Sequence, residues 1–388
     1  MSFHAEDYPT FNPLSCGRVT IDLDVYADNW RYLRDQVNTA GATVECAALV
    51  KADAYGILID KAVTALRNAG CKTFFVATPE EGLSVIKKAP DAVVYILNGL
   101  LPDCTNIYIN NKLIPVLNTL DEIYEWVEMA PESPAALHVD TGMNRLGLRE
   151  EEARTLAQDK ALVAKLRLSL LMTHLACADR PGSLMNDCQL RSFTDIAALF
   201  PGVPCSIANS AGIFNGAAFH LDLVRPGIAL YGGAALSAHV ADNPMKPVVK
   251  VEARILQIRT VQQHESVGYG AAEVVSSERR IATLGAGYAD GYIRHAGSTT
   301  EHKGAYAFIN GRRVPLVGRV SMDMIAVDVS DVPNVKRGDY VELFGPNVSV
   351  SELADHAATI DYEFFTGIGK RYARCYGPLL DTAGEALG

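Results

Sequence analysis

Apolar and polar positions alternate along Arg18-Val-Thr-Ile-Asp-Leu-Asp24, which predicts a half-buried strand. Residues 1–15 carry no such pattern and are expected to form a poorly ordered tail. Val25–Val37 predicts an amphipathic helix with Trp30 and Leu33 on its apolar face. A rhythm then sets in. Short apolar runs fall at Val44–Val50, Lys72–Ala77, Ala92–Leu97, Leu113–Leu117, Ala135–Asp140, Arg167–His174, Pro204–Ala208 and Leu221–Arg225. Between them lie helix-compatible stretches, among them Asp60–Ala69, Pro79–Lys88, Asp121–Ala130, Glu150–Leu166 and Asn186–Phe200. Eight strand candidates alternating with helices predict an α/β fold with an N-terminal (β/α)8 TIM barrel. A doubly wound open sheet is the alternative, but no glycine fingerprint follows the first strand.

After about Ala234 the texture changes. Val248–Val261, Arg280–Leu284, Ala305–Ile309, Arg313–Val317, Met324–Val329 and Tyr340–Phe344 read as strands, with Asn310-Gly311 as a hairpin turn. Only Ser351–Ala358 reads as a helix, with Ser351 as its cap. The expected division is a barrel over residues 16–240 and a mostly β C-terminal domain over residues 241–388. The strand at 18–24 precedes the barrel count and is available to the β domain.

Composition narrows the class. The length of 388 residues suits two domains. A net charge of −10, without a basic run, speaks against nucleic acid as a partner. The eight cysteines (Cys16, Cys46, Cys71, Cys104, Cys177, Cys188, Cys205, Cys375) show neither a CxxC pair nor metal-ligand spacing, so they read as reduced core residues and no metal is expected. The N-terminus lacks the apolar segment of a signal peptide, and no run reaches membrane-spanning length. These features point to the cytoplasm and to no membrane partner.

The candidate chemistry lies at strand ends. Ala48-Leu-Val-Lys51-Ala-Asp-Ala-Tyr55-Gly56 closes an apolar run on a lysine. Burial there favours the neutral amine, which can form a Schiff base with an aldehyde or accept a proton. Asp140-Thr-Gly-Met-Asn-Arg145-Leu-Gly follows the fifth strand and Thr173-His174 ends the sixth. Asn209-Ser210 follows the seventh, and Arg225-Pro-Gly227-Ile228 the eighth. Each has an ordinary reading by itself: a hydrogen-bonded core histidine, a surface ion pair, a helix cap. Barrel enzymes, however, build their sites at this rim. Ser210 and the N–H groups around Gly227-Ile228 can hold a phosphate dianion. A phosphate at one end and an aldehyde on Lys51 describe pyridoxal 5′-phosphate, with Arg225 facing its pyridine nitrogen.

The motifs Val50-Lys51-Ala-Asp-Ala-Tyr55-Gly, Asp140–Gly147, Ala208–Ser210, Arg225–Gly232, Gly268-Tyr269-Gly, Gly287-Tyr288-Ala-Asp-Gly291 and Gly318-Arg-Val-Ser-Met322-Asp323 together resemble the alanine racemase family. The resemblance runs from about Arg18 to Tyr376. It implies a pyridoxal-phosphate-dependent racemase that interconverts L- and D-alanine, the latter for cell-wall precursors. Lys51 resembles the family's Schiff-base lysine and its base for the D-antipode, and Tyr269 its second base, acting on the L-antipode. Tyr55, Ser210, Gly227, Ile228 and Tyr362 resemble the phosphate ligands, beside the Asn209 of the Asn-Ser pair. Arg225 resembles the arginine at the pyridine nitrogen and His174 the histidine near Tyr269. Arg145 and the Met322 backbone resemble substrate-carboxylate contacts, and Tyr288 an entrance residue. The resemblance further implies a homodimer in which Tyr269, Tyr288 and Met322 serve the partner's site.

The roles make chemical sense. Racemisation removes a Cα proton from one face and returns it to the other, most directly with two bases. Free tyrosine titrates near pH 10, so a tyrosine base needs a neighbouring cation. Arginine donates a hydrogen bond without giving up its proton, which weakens the ring as an electron sink and limits side reactions. Two positions depart from the family pattern. His138 stands where the family often has a carbamylated lysine orienting the arginine, and Ser206 where it often has a histidine supporting the pyridine-side arginine. A broad-specificity or serine racemase is the nearby alternative. A pyridoxal-phosphate-binding protein without turnover is a more distant one, since it would not need the C-terminal half.

Overall fold

The computed structural model describes residues 14–379 apart from 42, 132 and 237–242. The expected tail, up to residue 13, and the expected boundary at 240/241 therefore lie outside the described residues. Cα proximity separates two compact units, one built from Ala27–Leu230 with Ala235–Asn243, the other from the chain up to Tyr26, Tyr231–Ala234 and the chain from Pro244 onward.

The strand β1 (Gly17–Ile21) comes first and belongs to the second of these units. It is shorter than the expected 18–24 because the Asp22 carboxylate accepts from the N–H groups of Asp24 and Val25, at 3.1 and 3.0 Å, and starts the helix Leu23–Val37.

The ring follows. Its first strand is split into β2 (Glu45–Cys46) and β3 (Ala48–Leu49), and β4 (Thr73–Val76), β5 (Val93–Ile96), β6 (Leu113–Leu117) and β7 (Ala135–Asp140) come after it. β8 (Leu148–Arg149) is a short addition beside β7. β9 (Leu168–Met172), β10 (Cys205–Ser206) and β11 (Leu223–Val224) complete the set. Parallel pairing runs β3-β4-β5-β6-β7-β9-β10, and β11 pairs in parallel with β2. A parallel bridge between Asn209 and Arg225, with Arg225 N–H donating to Ala208 O at 2.9 Å, joins the seventh and eighth strands. The eight-stranded ring is thus closed. Strands covered by helices outside and packed side chains inside read as unbroken apolar runs, and Phe74, Phe75, Val76, Val116, Leu117 and Val139 are fully buried. The helix Pro79–Lys88 has the expected bounds, and Ile59–Ala69, Leu120–Met129 and Leu184–Ala197 start one or two residues before the expected positions, with Thr78 and Thr119 accepting from Glu81 and Glu122 N–H. The expected single helix Glu150–Leu166 is two, Glu150–Gln158 and Lys160–Leu166, because the Asp159 side chain caps the second at Leu162 N–H.

In the other unit β12 (Val249–Val261) is the long central strand. The remaining strands are β13 (Ser266–Val267), β14 (Glu273–Val274), β15 (Arg279–Leu284), β16 (Tyr306–Ile309), β17 (Arg312–Pro315), β18 (Ile325–Asp328), β19 (Tyr340–Phe344) and β20 (Ala373–Tyr376). The main sheet runs β17-β16-β19-β12-β1-β20, with β15 and β18 continuing from the far end of β12. Asn310 and Gly311 both have positive φ, +48° and +75°, as the tight β16–β17 turn requires. Ser349, not Ser351, caps the helix Val350–His356, and a second helix, Asp361–Thr366, carries Tyr362. Cys46 and Cys71 are buried while Cys16 and Cys188 are exposed, which corrects the expectation that all cysteines are core residues. No helix among the described residues is long and apolar enough to cross a membrane.

Candidate active site

The residues Lys51, Asp140, His174, Asn209 and Arg225 each stand at or just beyond the C-terminal end of a ring strand, so the parallel closure gathers them on one rim. Lys51 opens a turn with an unusual backbone. Ala52, Asp53, Ala54 and Tyr55 all have φ between 51° and 54°, a left-handed turn made without glycine until Gly56. Such a conformation costs about 1–2 kcal/mol per residue, so the surroundings must hold it. Ala54 N–H donates to Val50 O at 2.9 Å, Gly56 N–H to Ala52 O at 3.0 Å, and Ile59 N–H to the Asp53 carboxylate at 2.8 Å. The Lys51 amine is held below its ordinary pKa, by burial first and by the Arg145 guanidinium second. That shift favours the neutral form.

The turn delivers Tyr55, 3 % exposed, to the start of the segment after the eighth strand. A Cβ on Gly227 would lie 2.6 Å from the Tyr55 hydroxyl oxygen, so only glycine leaves room there. Ser210, 4 % exposed, opens the short helix Ser210–Phe214, which Asn209 caps by accepting from Gly212 N–H at 2.9 Å. The Ser210 hydroxyl oxygen accepts from Gly227 N–H at 2.8 Å and from Ala229 N–H at 3.3 Å. Ile228 starts a 3₁₀ turn, so its N–H has no acceptor within that turn. Two hydroxyls and a run of N–H groups around a bare Cα make an anion cradle.

Arg225 is 2 % exposed, and burial pushes its guanidinium down to about 9, still charged at neutral pH. It donates to the Ser206 hydroxyl and to Thr173 O at 2.6 Å, and Ser206 in turn donates to Leu223 O at 2.6 Å. Ser206, the second departure from the family pattern, therefore supports the arginine directly. At the first departure, His138 Nδ1 lies 2.9 Å from Asn118 Oδ1, and Asn118 Nδ2 donates to Val116 O at 2.7 Å. Asn118 Oδ1 is then the acceptor and His138 Nδ1 the donor, which leaves Nε2 without a proton. Burial, then Arg225, push His138 down to about 4, and the same causes push His174 down to about 3. The loop with Arg145 is shaped by the Asp140 carboxylate, which accepts from the N–H groups of Gly142, Met143 and Asn144 at 2.9, 2.8 and 3.1 Å. Asn118 was missed from sequence, although it follows the fourth apolar run as the other rim residues follow theirs.

Tyr269, Tyr288, Met322 and Tyr362 belong to the second unit, and the first three are 70 %, 42 % and 53 % exposed. Tyr288 and Met322 are brought together: Tyr288 N–H donates to Ser321 O and Ala289 N–H to Met322 O, both at 3.0 Å. Tyr269 opens a 3₁₀ turn between Gly268 and Gly270.

Comparison with known proteins adds to this geometry. Residues 21–235 match the family model "Alanine racemase, N-terminal domain" and residues 248–376 match "Alanine racemase, C-terminal domain". The chain is 46 % identical to an alanine racemase of Rhizobium meliloti over 370 residues, 92 % of this chain and 96 % of that one. The structure is similar to that of alanine racemase from Bartonella henselae with covalently bound pyridoxal phosphate, with a TM-score of 0.86 at 38 % identity, covering 93 % of this chain and 99 % of that one. It is similar also to the biosynthetic alanine racemase of Pseudomonas aeruginosa, with a TM-score of 0.87 at 33 % identity, covering 94 % and 99 %.

Proposed function

This chain belongs to the alanine racemase family, and on that premise we propose that it interconverts L- and D-alanine with pyridoxal 5′-phosphate held at the rim of its barrel. The observation that carries the reading is the placing of Lys51, the Ser210–Gly227 cradle and Arg225 at one rim. The residues fit the cofactor. The glycine that a Cβ would close off, beside two hydroxyls, suits a phosphate, and a charged buried arginine suits an unprotonated ring nitrogen. When bound, pyridoxal phosphate supplies an aldehyde for amines and a ring that spreads the charge left at a deprotonated Cα.

In this reading Tyr55, Ser210, Gly227, Ile228 and Tyr362 hold the phosphate, with Asn209 fixing Ser210 by capping its helix. Lys51 holds the aldehyde carbon and afterwards moves the Cα proton on the face of the D-antipode. Its lowered pKa supplies the neutral amine this needs. Arg225 donates to the ring nitrogen and keeps its proton, and His174, held neutral, stands beside the tyrosine base. Arg145 and the Met322 backbone bind the substrate carboxylate, and Tyr288 lines the entrance. The protein acts as a homodimer in the cytoplasm, each site taking Lys51 from one subunit and Tyr269, Tyr288 and Met322 from its mate. The exposure of these three side chains supports a covering partner.

Mixed dimers test the shared site. Lys51→Ala and Tyr269→Phe homodimers carry one lesion in every site and should both be nearly inactive. In a mixed dimer both lesions fall in one site and the other is intact. Random exchange makes about half the dimers mixed, so roughly a quarter of all sites should recover. Heterodimers that form and stay inactive would show that Tyr269 serves its own subunit or is not the second base.

A further inference from the structure

Glu81 stands at the third position of the helix Pro79–Lys88, where it closes a capping box with Thr78. Its carboxylate reaches further than that box. One oxygen accepts from the N–H groups of Ala77 and Thr78, at 2.8 and 3.4 Å, and the other accepts from Ala52 N–H at 2.6 Å. Ala77 and Thr78 follow the second ring strand, whereas Ala52 follows the first, directly after Lys51. One side chain therefore ties together the ends of two neighbouring strands at the rim.

Ala52 is also the first residue of the left-handed turn. The turn's own bonds run from Ala54 N–H to Val50 O and from Gly56 N–H to Ala52 O, so they leave the Ala52 N–H to Glu81. That N–H belongs to the peptide bond leaving Lys51, so holding it fixes the peptide plane next to the Lys51 Cα and narrows the directions open to the Cα–Cβ bond. A carboxylate offers an acceptor on both oxygens, which a carboxamide does not. Glutamine satisfies a capping box but cannot also serve Ala52 with its second terminal atom. The negative charge of Glu81 also raises the Lys51 pKa, against the effects of burial and Arg145.

We propose that Glu81 is a positioning residue for Lys51, fixing the left-handed turn through the Ala52 N–H and so aiming the lysine at the reacting centre. The proposal rests on Lys51 being the residue that holds the cofactor and moves the proton.

The test compares the full-length wild type with Glu81→Gln, with Thr78→Ala, which removes the helix cap but leaves Glu81, and with the exposed neighbour Glu80→Gln. Hydrogen exchange is read on cofactor-free protein, and turnover on protein saturated with pyridoxal phosphate. In Glu81→Gln the amides of residues 52–56 should exchange about tenfold faster, while those of 82–88 exchange as in the wild type. The kcat for L-alanine should fall about ten- to a hundredfold, with KM within about twofold, as expected for a displaced reacting group. Glu80→Gln should match the wild type on every measure, and Thr78→Ala should leave exchange at 52–56 unchanged. Glu81→Gln behaving as Glu80→Gln would overturn the proposal, and so would Thr78→Ala loosening 52–56 as much as Glu81→Gln does. A wild type that binds the cofactor but does not racemise alanine would overturn the functional reading instead, and the exchange data would still judge whether Glu81 holds the turn.

Discussion

At His138, burial and the Arg225 guanidinium hold the imidazole neutral, down to about 4, whereas an unfolded histidine titrates near 6.5. Below about pH 6.5 the unfolded chain takes up a proton that the folded chain refuses until about pH 4. The stability due to this group is fully present above that window and is lost as pH falls through it. At about 1.4 kcal/mol per unit, the loss approaches roughly 3 kcal/mol by pH 4. His174, pushed down to about 3 by burial first and Arg225 second, acts in the same direction. Urea unfolding of wild type and His138→Gln from pH 7 to 4 checks this. The variant should lose less stability on acidification, and parallel slopes would contradict the assignment. The rim position of the candidate residues was legible wherever a polar residue ended an apolar run, as at Lys51, His174 and Arg225. Asn118 obeys the same rule, but its bond to His138 joins the ends of two different strands, which no local pattern displays.

Elements place these residues, and the segment from the seventh strand to the eighth is the most demanding. β10 and β11 are two residues each, yet they bring Ser210 to the N–H groups of Gly227 and Ala229. Gly227→Ala would force its Cβ against the Tyr55 hydroxyl. Overpacking of this kind costs about 1–3 kcal/mol, so affinity for pyridoxal phosphate should fall about tenfold or more. Titration of cofactor-free protein by visible absorbance measures it, and unchanged affinity would remove Gly227 from the proposed phosphate site. The strands and helices here were readable from apolar periodicity, since buried parallel strands are continuous runs. The left-handed turn after Lys51 was not, because Ala-Asp-Ala-Tyr offers no glycine to mark it and bonds from elsewhere sustain it. Nor was the break at Asp159, where a capping carboxylate interrupts an otherwise continuous helical period.

For the whole molecule, ring closure was legible as a count of eight alternating runs. The order of the β unit was not. β1 lies between β12 and β20, pairing antiparallel with one and parallel with the other, and these partners are distant in sequence. β12 also changes partner along its length, from β1 to β15, and its pairings with β19 and β15 carry irregularities at Val251/Glu252 and Ile255/Gln257, which alternation alone does not reveal. The two units carry complementary halves of the proposed chemistry, Lys51 in one and Tyr269 in the other, and in that proposal the two side chains move a proton across the plane of alanine's Cα. Incubating the cofactor-saturated protein with L-alanine in heavy water tests this most directly, read by chiral chromatography and by mass. Equal amounts of the two enantiomers are expected at the end point, since they have the same free energy, with Cα hydrogen replaced by deuterium. L-alanine that keeps both its configuration and its Cα hydrogen would contradict it.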